Sequence, residues 1–269
     1  MIATLNLWGE LVPKEIFSGT ELQYLEKLEG TDLPDICWVW EEIDRIWDEQ
    51  GLDNRLPLKQ QKVDKYYSHP VWIMNAFFTA ADPKSINHRN SIASYVASKD
   101  VRRIADYGGG GAELARRIGI ERPGSEIEII EPFPSSLGKF RVAKLRNVRF
   151  SEKLDGKYDL IIAQDVLEHV EKPIKLAEEI FNALSGHGIA IFANCFEPVI
   201  KCHLPGTFHL HTSFSSIMAR AGFKPLGKVP GARHALIFQR MSDRQNFPFL
   251  VYALEWWSRG KYWFNQTVG

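Results

Sequence analysis

The sequence lacks the features that mark several common classes of protein. It has only three cysteines, Cys37, Cys195 and Cys202, and no CxxC pair, so we expect no disulfide framework and predict a reduced, cytoplasmic location. Lys and Arg number 33, as do Asp and Glu, and this balance argues against a nucleic-acid partner. No apolar run reaches the roughly 20 residues that span a bilayer, and the N-terminus has no signal-peptide pattern.

The chain does contain a run of four glycines, Gly108–Gly111. An apolar stretch, Ile104–Tyr107, precedes the run, and a helical pattern follows it, which predicts a strand, a tight turn and a helix. Glycines permit a sharp turn and let a ligand approach the main chain closely. The helix N-terminus beyond the turn offers unpaired N–H groups. We therefore expect a nucleotide-like ligand, in preference to a glycine-rich turn without a ligand.

Two nucleotide-binding motifs compete for this turn. The dinucleotide motif G-x-G-x-x-G/A places Gly108 and Gly110 correctly, but its third position falls on Glu113, whose carboxylate would repel a pyrophosphate. The alternative is D-x-G-x-G-x-G, the first motif of the class I S-adenosylmethionine methyltransferases. Asp106, Gly108 and Gly110 match it, and Ala112 replaces the last glycine. The turn resembles this second motif, whose ligand carries no phosphate.

Two further landmarks follow in order. The predicted strand 126–132 carries Glu131, 25 residues after Asp106, where a carboxylate beside the glycine turn can accept both hydroxyls of a ribose. Residues 158–169, which read Y-D-L-I-I-A-Q-D-V-L-E-H, resemble the fourth-strand motif of the same methyltransferases. The resemblance covers roughly residues 100–240.

The resemblance implies an α/β fold, a Rossmann-like three-layer sandwich with a mostly parallel seven-stranded sheet and an antiparallel last strand inserted at the sheet edge. We predict three parts: a helical N-terminal cap over 1–85, an S-adenosylmethionine-binding methyltransferase domain over 86–241, and an aromatic-rich tail over 242–269. Within the cap, apolar spacing predicts a helix that ends near Gly51, and Asp82-Pro83 predicts the start of another. The apolar tail is expected to pack against the cap or a second subunit, as in a homodimer, in preference to lying on a membrane surface.

The predicted cofactor-binding residues are Asp106, Gly108, Gly110, Glu131, Pro132, Gln164 and Arg89. Arg89 either holds the methionine carboxylate as a bidentate donor or lies on the surface. His169 is the leading candidate for a general base, and its alternative role is to pack the helix; Asp165 and His211 are further candidates. His203, His209 and His211 lack a convincing ligand set, so we predict no metal site and interpret their loop as facing the substrate.

These features predict methyl transfer from S-adenosylmethionine to a small-molecule acceptor, a sugar or secondary metabolite, at oxygen or nitrogen. Two alternatives stay open. One is an NAD-dependent Rossmann oxidoreductase or sugar-modifying enzyme, against which Glu113 argues. The other is a cofactor-binding partner subunit without catalytic activity.

Overall fold

The structure, a computed structural model, describes residues 3–241 and 247–268. Its N-terminal part begins with a hairpin that the sequence pattern did not predict and continues with helices. The elements are β1 (Thr4–Leu7), β2 (Glu10–Pro13), α1 (Gly19–Glu26), α2 (Ile36–Glu49), α3 (Gln60–Tyr67) and α4 (Val71–Ala81). Helix α2 confirms the predicted amphipathic helix: Val39, Ile43, Ile46 and Trp47 form its buried face.

Helix α5 (Pro83–Ala97) begins where the Asp82-Pro83 pair predicts. The carboxylate of Asp82 accepts a hydrogen bond from the Ser85 N–H at 2.7 Å, and Pro83 occupies the first helical position. The helix continues without a break through the boundary at 85/86, so one rigid element joins the cap to the sheet. The division of the chain at 85/86 and at 241/242 stays a prediction.

The remaining elements alternate between strands and helices. They are β3 (Arg103–Tyr107), α6 (Glu113–Glu121), β4 (Glu126–Ile130), α7 (Ser136–Val142), β5 (Val148–Ser151), β6 (Tyr158–Gln164), α8 (Pro173–Ala183), β7 (Leu184–Ala193), α9 (Leu210–Ala221), β8 (Phe223–Val229) and β9 (Ala232–Arg240). The seven strands form one sheet in the order β5-β4-β3-β6-β7-β9-β8, with β9 antiparallel to both neighbours. The predicted Rossmann-like fold is confirmed, with one correction: the last strand lies between β7 and β8, and β8 forms the edge.

Helix α10 (Leu250–Val268) ends the described chain. Its buried residue Val251 and the preceding Phe247 join the core that α8, α9 and the sheet form, while the cap has a separate core. The buried residues of the tail therefore pack on the sheet and its helices, and not on the cap as expected. Trp256 and Trp257 are exposed on α10, as is Phe249 just before it. None of the described helices combines the length and hydrophobicity that crossing a membrane requires.

Arg141 of α7 joins the cap to the glycine turn. Its side chain is 2% exposed and pairs with Glu10 of the N-terminal hairpin. Its guanidinium also donates to the carbonyl oxygens of Gly111 at 2.8 Å and Ala76 of α4 at 3.2 Å. One buried cation thus holds the hairpin, a cap helix and the turn together.

We expect Arg141→Ala to lower the free energy of unfolding by about 3 kcal/mol, because it leaves Glu10 and two carbonyls without their partner. Denaturant titration measures this difference. The matched control is Arg146→Ala, since Arg146 is exposed just beyond the same helix and should change stability little. Equal stability of the two variants would contradict the role given to Arg141.

Candidate active site

The candidate site lies where the chain order of the sheet reverses. The first strand of the parallel sheet, β3, pairs with β4 on one side and β6 on the other. The connections after β3 and β6 therefore diverge and leave a crevice at the carboxyl ends of the strands. Open α/β sheets bind ligands at such a switch point.

The glycine turn forms the floor of this crevice. The Gly108 N–H donates to the Ile130 carbonyl at 2.8 Å, and φ at Gly108 is +71°. A Cβ at Gly108 would lie 2.5 Å from Val166 Cγ2, so only glycine fits there. A Cβ at Gly110 would meet no atom of the described chain nearer than 3.9 Å. The main chain at Gly110 is consequently open to a ligand.

Glu131 points into the crevice from the end of β4. The parallel register places Tyr107 opposite Ile130, which brings Glu131 level with the start of the turn. The Gly110 N–H donates to Glu131 Oε2 at 3.0 Å, and the Phe133 N–H donates to Oε1 at 3.0 Å. These two bonds fix the carboxylate and leave further lone pairs on both oxygens to accept hydroxyl donors.

Asp106 and Arg89 are ionisable side chains near the turn, and neither forms an ion pair with another described residue. Asp106 is 2% exposed, its Oδ2 has no hydrogen-bond partner among the described residues, and burial raises its pKa to about 7. Arg89 has no ion pair within 4.0 Å in the described part of the chain; it donates only to the Ser85 carbonyl at 3.5 Å. Burial lowers the pKa of Arg89, although Asp165 and other nearby acids act to raise it.

The other two predicted cofactor residues occupy the rim of the crevice. Gln164 is the last residue of β6; its Nε2 donates to Asp165 Oδ2 at 3.2 Å, and its Oε1 is buried without a partner among the described residues. Pro132 follows Glu131 and is exposed. Asp165 itself has φ of +53°, which turns the chain sharply after the strand.

His169 lies in a short 3-10 turn after β6, as the sequence predicts. Its Nδ1 is 3.1 Å from the Cys202 carbonyl oxygen, which fixes Nδ1 as the donor and leaves a lone pair on Nε2. Burial and the nearby His203 lower its pKa to about 3. The ring is therefore neutral over the physiological range and a weak base.

Aromatic rings form one wall of the site beside His169. The Tyr67 ring stacks on Phe133 with a centroid distance of 6.2 Å and on Trp72 at 5.3 Å, and it meets the His169 ring edge-on at 6.5 Å. The aromatic density of 66–72 predicted a core role with some cleft lining. Phe133 was missed, although its position two residues after Glu131 was the available signal.

The three loop histidines do not come together. His203 is buried, and its ring centroid is 4.9 Å from that of His169. His209 is also buried, whereas His211 is exposed and pairs with Glu197 at 3.3 Å. Of the three, only His203 lies beside His169, and Glu168, which is fully buried, lies near both. The sequence pattern predicted no role for Glu168.

Glu113 occupies the first position of α6. It is 6% exposed, and its carboxylate binds Arg116 at 2.8 and 2.9 Å and Arg117 at 2.8 Å. Burial raises the pKa of Glu113, but the bonds from Arg116 outweigh that effect and the pKa is lowered. Glu113 is therefore an ionised residue of the first turn of α6 that is bound to arginines of the same helix.

Comparison with known proteins gives a family and a fold. A family model described as a methyltransferase domain matches residues 86–226, just over half of the chain. An O-methyltransferase family protein from Burkholderia thailandensis is 16% identical with a TM-score of 0.53, over 81% of this chain and 75% of its own. PigF, solved with SAH, is 16% identical with a TM-score of 0.55, over 79% and 76%. No curated protein matches the sequence.

The pKa of Asp106 predicts how stability changes with pH. An unfolded Asp ionises near pH 4, whereas the folded chain keeps its proton until about pH 7, so wild-type stability should fall as pH rises between these values. Asp106→Asn removes this titration. We expect the stability of the variant relative to wild type to increase by about 2 kcal/mol from pH 5 to pH 8.

Denaturant titrations at the two pH values measure this difference, with Asp100→Asn, an exposed acid before β3, as control. A difference between Asp106→Asn and wild type that does not change with pH would show that Asp106 is already ionised at pH 5.

Proposed function

The chain belongs to the methyltransferase domain family and is an S-adenosylmethionine-dependent methyltransferase, and we propose that its acceptor is a small molecule, a sugar or a secondary metabolite methylated at oxygen or nitrogen. The observation that carries the assignment of the cofactor site is the position of Glu131. Its carboxylate is held at the glycine turn by the Gly110 N–H, at the place where a ribose would lie beside the open main chain.

Asp106 and Arg89 support a proposal for where the methionine end of the cofactor binds. S-adenosylmethionine carries an ammonium and a carboxylate on the same carbon. Asp106 offers a buried carboxylate oxygen without a partner, and Arg89 offers a guanidinium without an ion pair in the described chain. We place the ammonium toward Asp106 and the carboxylate toward Arg89, because each charge then gains the partner that burial makes costly to lack. Gln164 and Pro132 would border the adenosyl group.

The NAD-dependent alternative is weaker because of Glu113 in the first turn of α6. The third position of the dinucleotide motif requires Gly or Ala, but the larger Glu113, buried and bound to Arg116 and Arg117, occupies it. The S-adenosylmethionine motif makes no such demand at that position.

The acceptor would lie beyond the methyl group, between His169 and the aromatic wall of Tyr67, Trp72 and Phe133. Methyl transfer is an in-line displacement at a carbon that the sulfonium already activates, so the enzyme must align the reactants and exclude water. A hydroxyl acceptor also needs a proton acceptor. The neutral His169 presents Nε2 for that role, and its action as the base stays a prediction.

Two further properties stay predictions. The exposed aromatic residues of α10 suggest a homodimer through the tail, which light scattering tests: Trp256→Glu should leave a monomer if the dimer exists, and an unchanged mass would contradict this interface. The cytoplasmic location and the absence of a nucleic-acid partner are inferred from composition alone.

Calorimetric titration with S-adenosylhomocysteine and with NAD tests the proposed cofactor site. We expect the wild type to bind S-adenosylhomocysteine and not NAD. Glu131→Ala removes hydrogen bonds from a charged acceptor, worth about 2 kcal/mol, so its Kd should rise about 30-fold. Glu152→Ala, an exposed acid after the next strand, is the control and should bind as wild type does. Tight NAD binding, or equal affinity in Glu131→Ala, would contradict the proposal.

A further inference from the structure

Glu168, His169 and His203 form a compact group of potential metal ligands. Glu168 and His169 follow β6, and His203 lies in the loop between β7 and α9. One ligand atom from each of the three lies within 4.8 Å of the other two. Glu168 and His203 are buried and His169 is half-buried, so the group lies beneath the surface and next to the candidate site.

Hydrogen bonds fix the two imidazoles in the form that binds metals. His169 Nδ1 lies 3.1 Å from the Cys202 carbonyl, and His203 Nδ1 lies 2.7 Å from the Glu197 carbonyl. Each Nδ1 must therefore carry the proton, and each Nε2 is left with its lone pair. A ring whose second nitrogen donates to a backbone carbonyl is the usual outer support of a metal-binding histidine.

The third member, Glu168, has an oxygen that nothing in the described chain satisfies. The Cys195 N–H donates to Glu168 Oε1 at 2.7 Å, but Oε2 is buried without a hydrogen-bond partner. The side chain is 0% exposed, so bulk solvent does not reach it. A buried carboxylate oxygen without a partner is costly, and a cation would remove the cost.

The cap holds the backbone around His203 in place. Asp44 of α2 accepts from the Lys201 N–H at 2.7 Å, and Asn54 donates to the Lys201 carbonyl at 2.6 Å. Cys202 and Leu204 are both buried in the core of the cap. Contacts with the cap therefore fix the chain on both sides of His203. The cap thus holds His203 near the end of β6.

We propose that Glu168, His169 and His203 bind one divalent first-row transition metal, with Zn²⁺ the best fit to two imidazoles and a carboxylate. Three protein ligands leave a further position for water or another small ligand. The inference does not depend on the proposed methyl transfer. A bound metal would use His169 Nε2, the atom that a base would need, so the two roles exclude each other.

The test measures metal binding by the full-length protein after a chelator has been applied and removed. Calorimetric titration with Zn²⁺ is expected to show one equivalent bound, and Co²⁺ is expected to give the visible absorption of a protein-bound ion that Zn²⁺ then displaces. Mg²⁺ is expected not to bind, because it prefers oxygen ligands. No uptake of Zn²⁺ or Co²⁺ by the wild type would overturn the proposal.

Variants assign the ligands. Glu168→Gln keeps an oxygen for the Cys195 N–H but removes the charge, and His203→Gln removes one imidazole. Each should weaken Zn²⁺ binding by at least about 100-fold, since the loss of an outer partner alone costs 10–100-fold. His187→Gln, at an exposed histidine of β7 away from the cluster, is the control and should bind as wild type does.

Circular dichroism shows which variants fold. If the variants at the two buried positions do not fold, Zn²⁺ binding is measured with His169→Gln, at the least buried of the three positions. Stoichiometric Zn²⁺ binding retained in the folded variants would place the ion elsewhere and overturn the proposal.

Discussion

The hydrogen bond between the Gly110 N–H and the Glu131 carboxylate is the contact on which the rest of the site depends. It exists because β3 and β4 pair in parallel with Tyr107 opposite Ile130, so that the turn after one strand meets the acid after the other. The absence of a side chain at Gly110 leaves the main chain beside that acid open. A ribose could therefore be held by a fixed carboxylate without any large change in the protein.

Ionisable side chains that are buried without a full set of partners in the described chain surround this contact. Asp106 lies beneath the turn, Arg89 faces it from α5, and Glu168 lies at the end of β6; each is desolvated without a full set of partners in the described chain. Structural charges of this kind are normally paired, because an unpaired buried charge destabilises the fold. Arg141, which is buried and fully engaged between the hairpin, α4 and the turn, shows the contrast within the same molecule. We interpret the first three as groups that meet ligands and Arg141 as a structural residue.

Local signals predicted the parts of this structure that depend on short stretches of chain. The glycine turn, the acid after β4 and the Asp82-Pro83 helix start are each encoded within a few residues, and the alternation of strands and helices predicted the sheet. The hairpin of β1 and β2, the Arg141–Glu10 pair and the meeting of His203 with His169 could not be predicted in this way. They join residues far apart in sequence, and only the packing of the cap on α7 and on the loop after β7 brings them together. The exclusion of a metal considered the loop histidines with Cys202, and the sequence pattern offered no means of placing Glu168 and His169 beside His203.

A crystal structure of the protein with S-adenosylhomocysteine is the most direct test of the central claim. We expect both ribose hydroxyls to donate to the Glu131 carboxylate, with the adenosyl group over the Gly110 main chain and the amino-acid end between Asp106 and Arg89. A ligand whose ribose lies away from Glu131, or whose amino-acid end points away from Asp106, would contradict it.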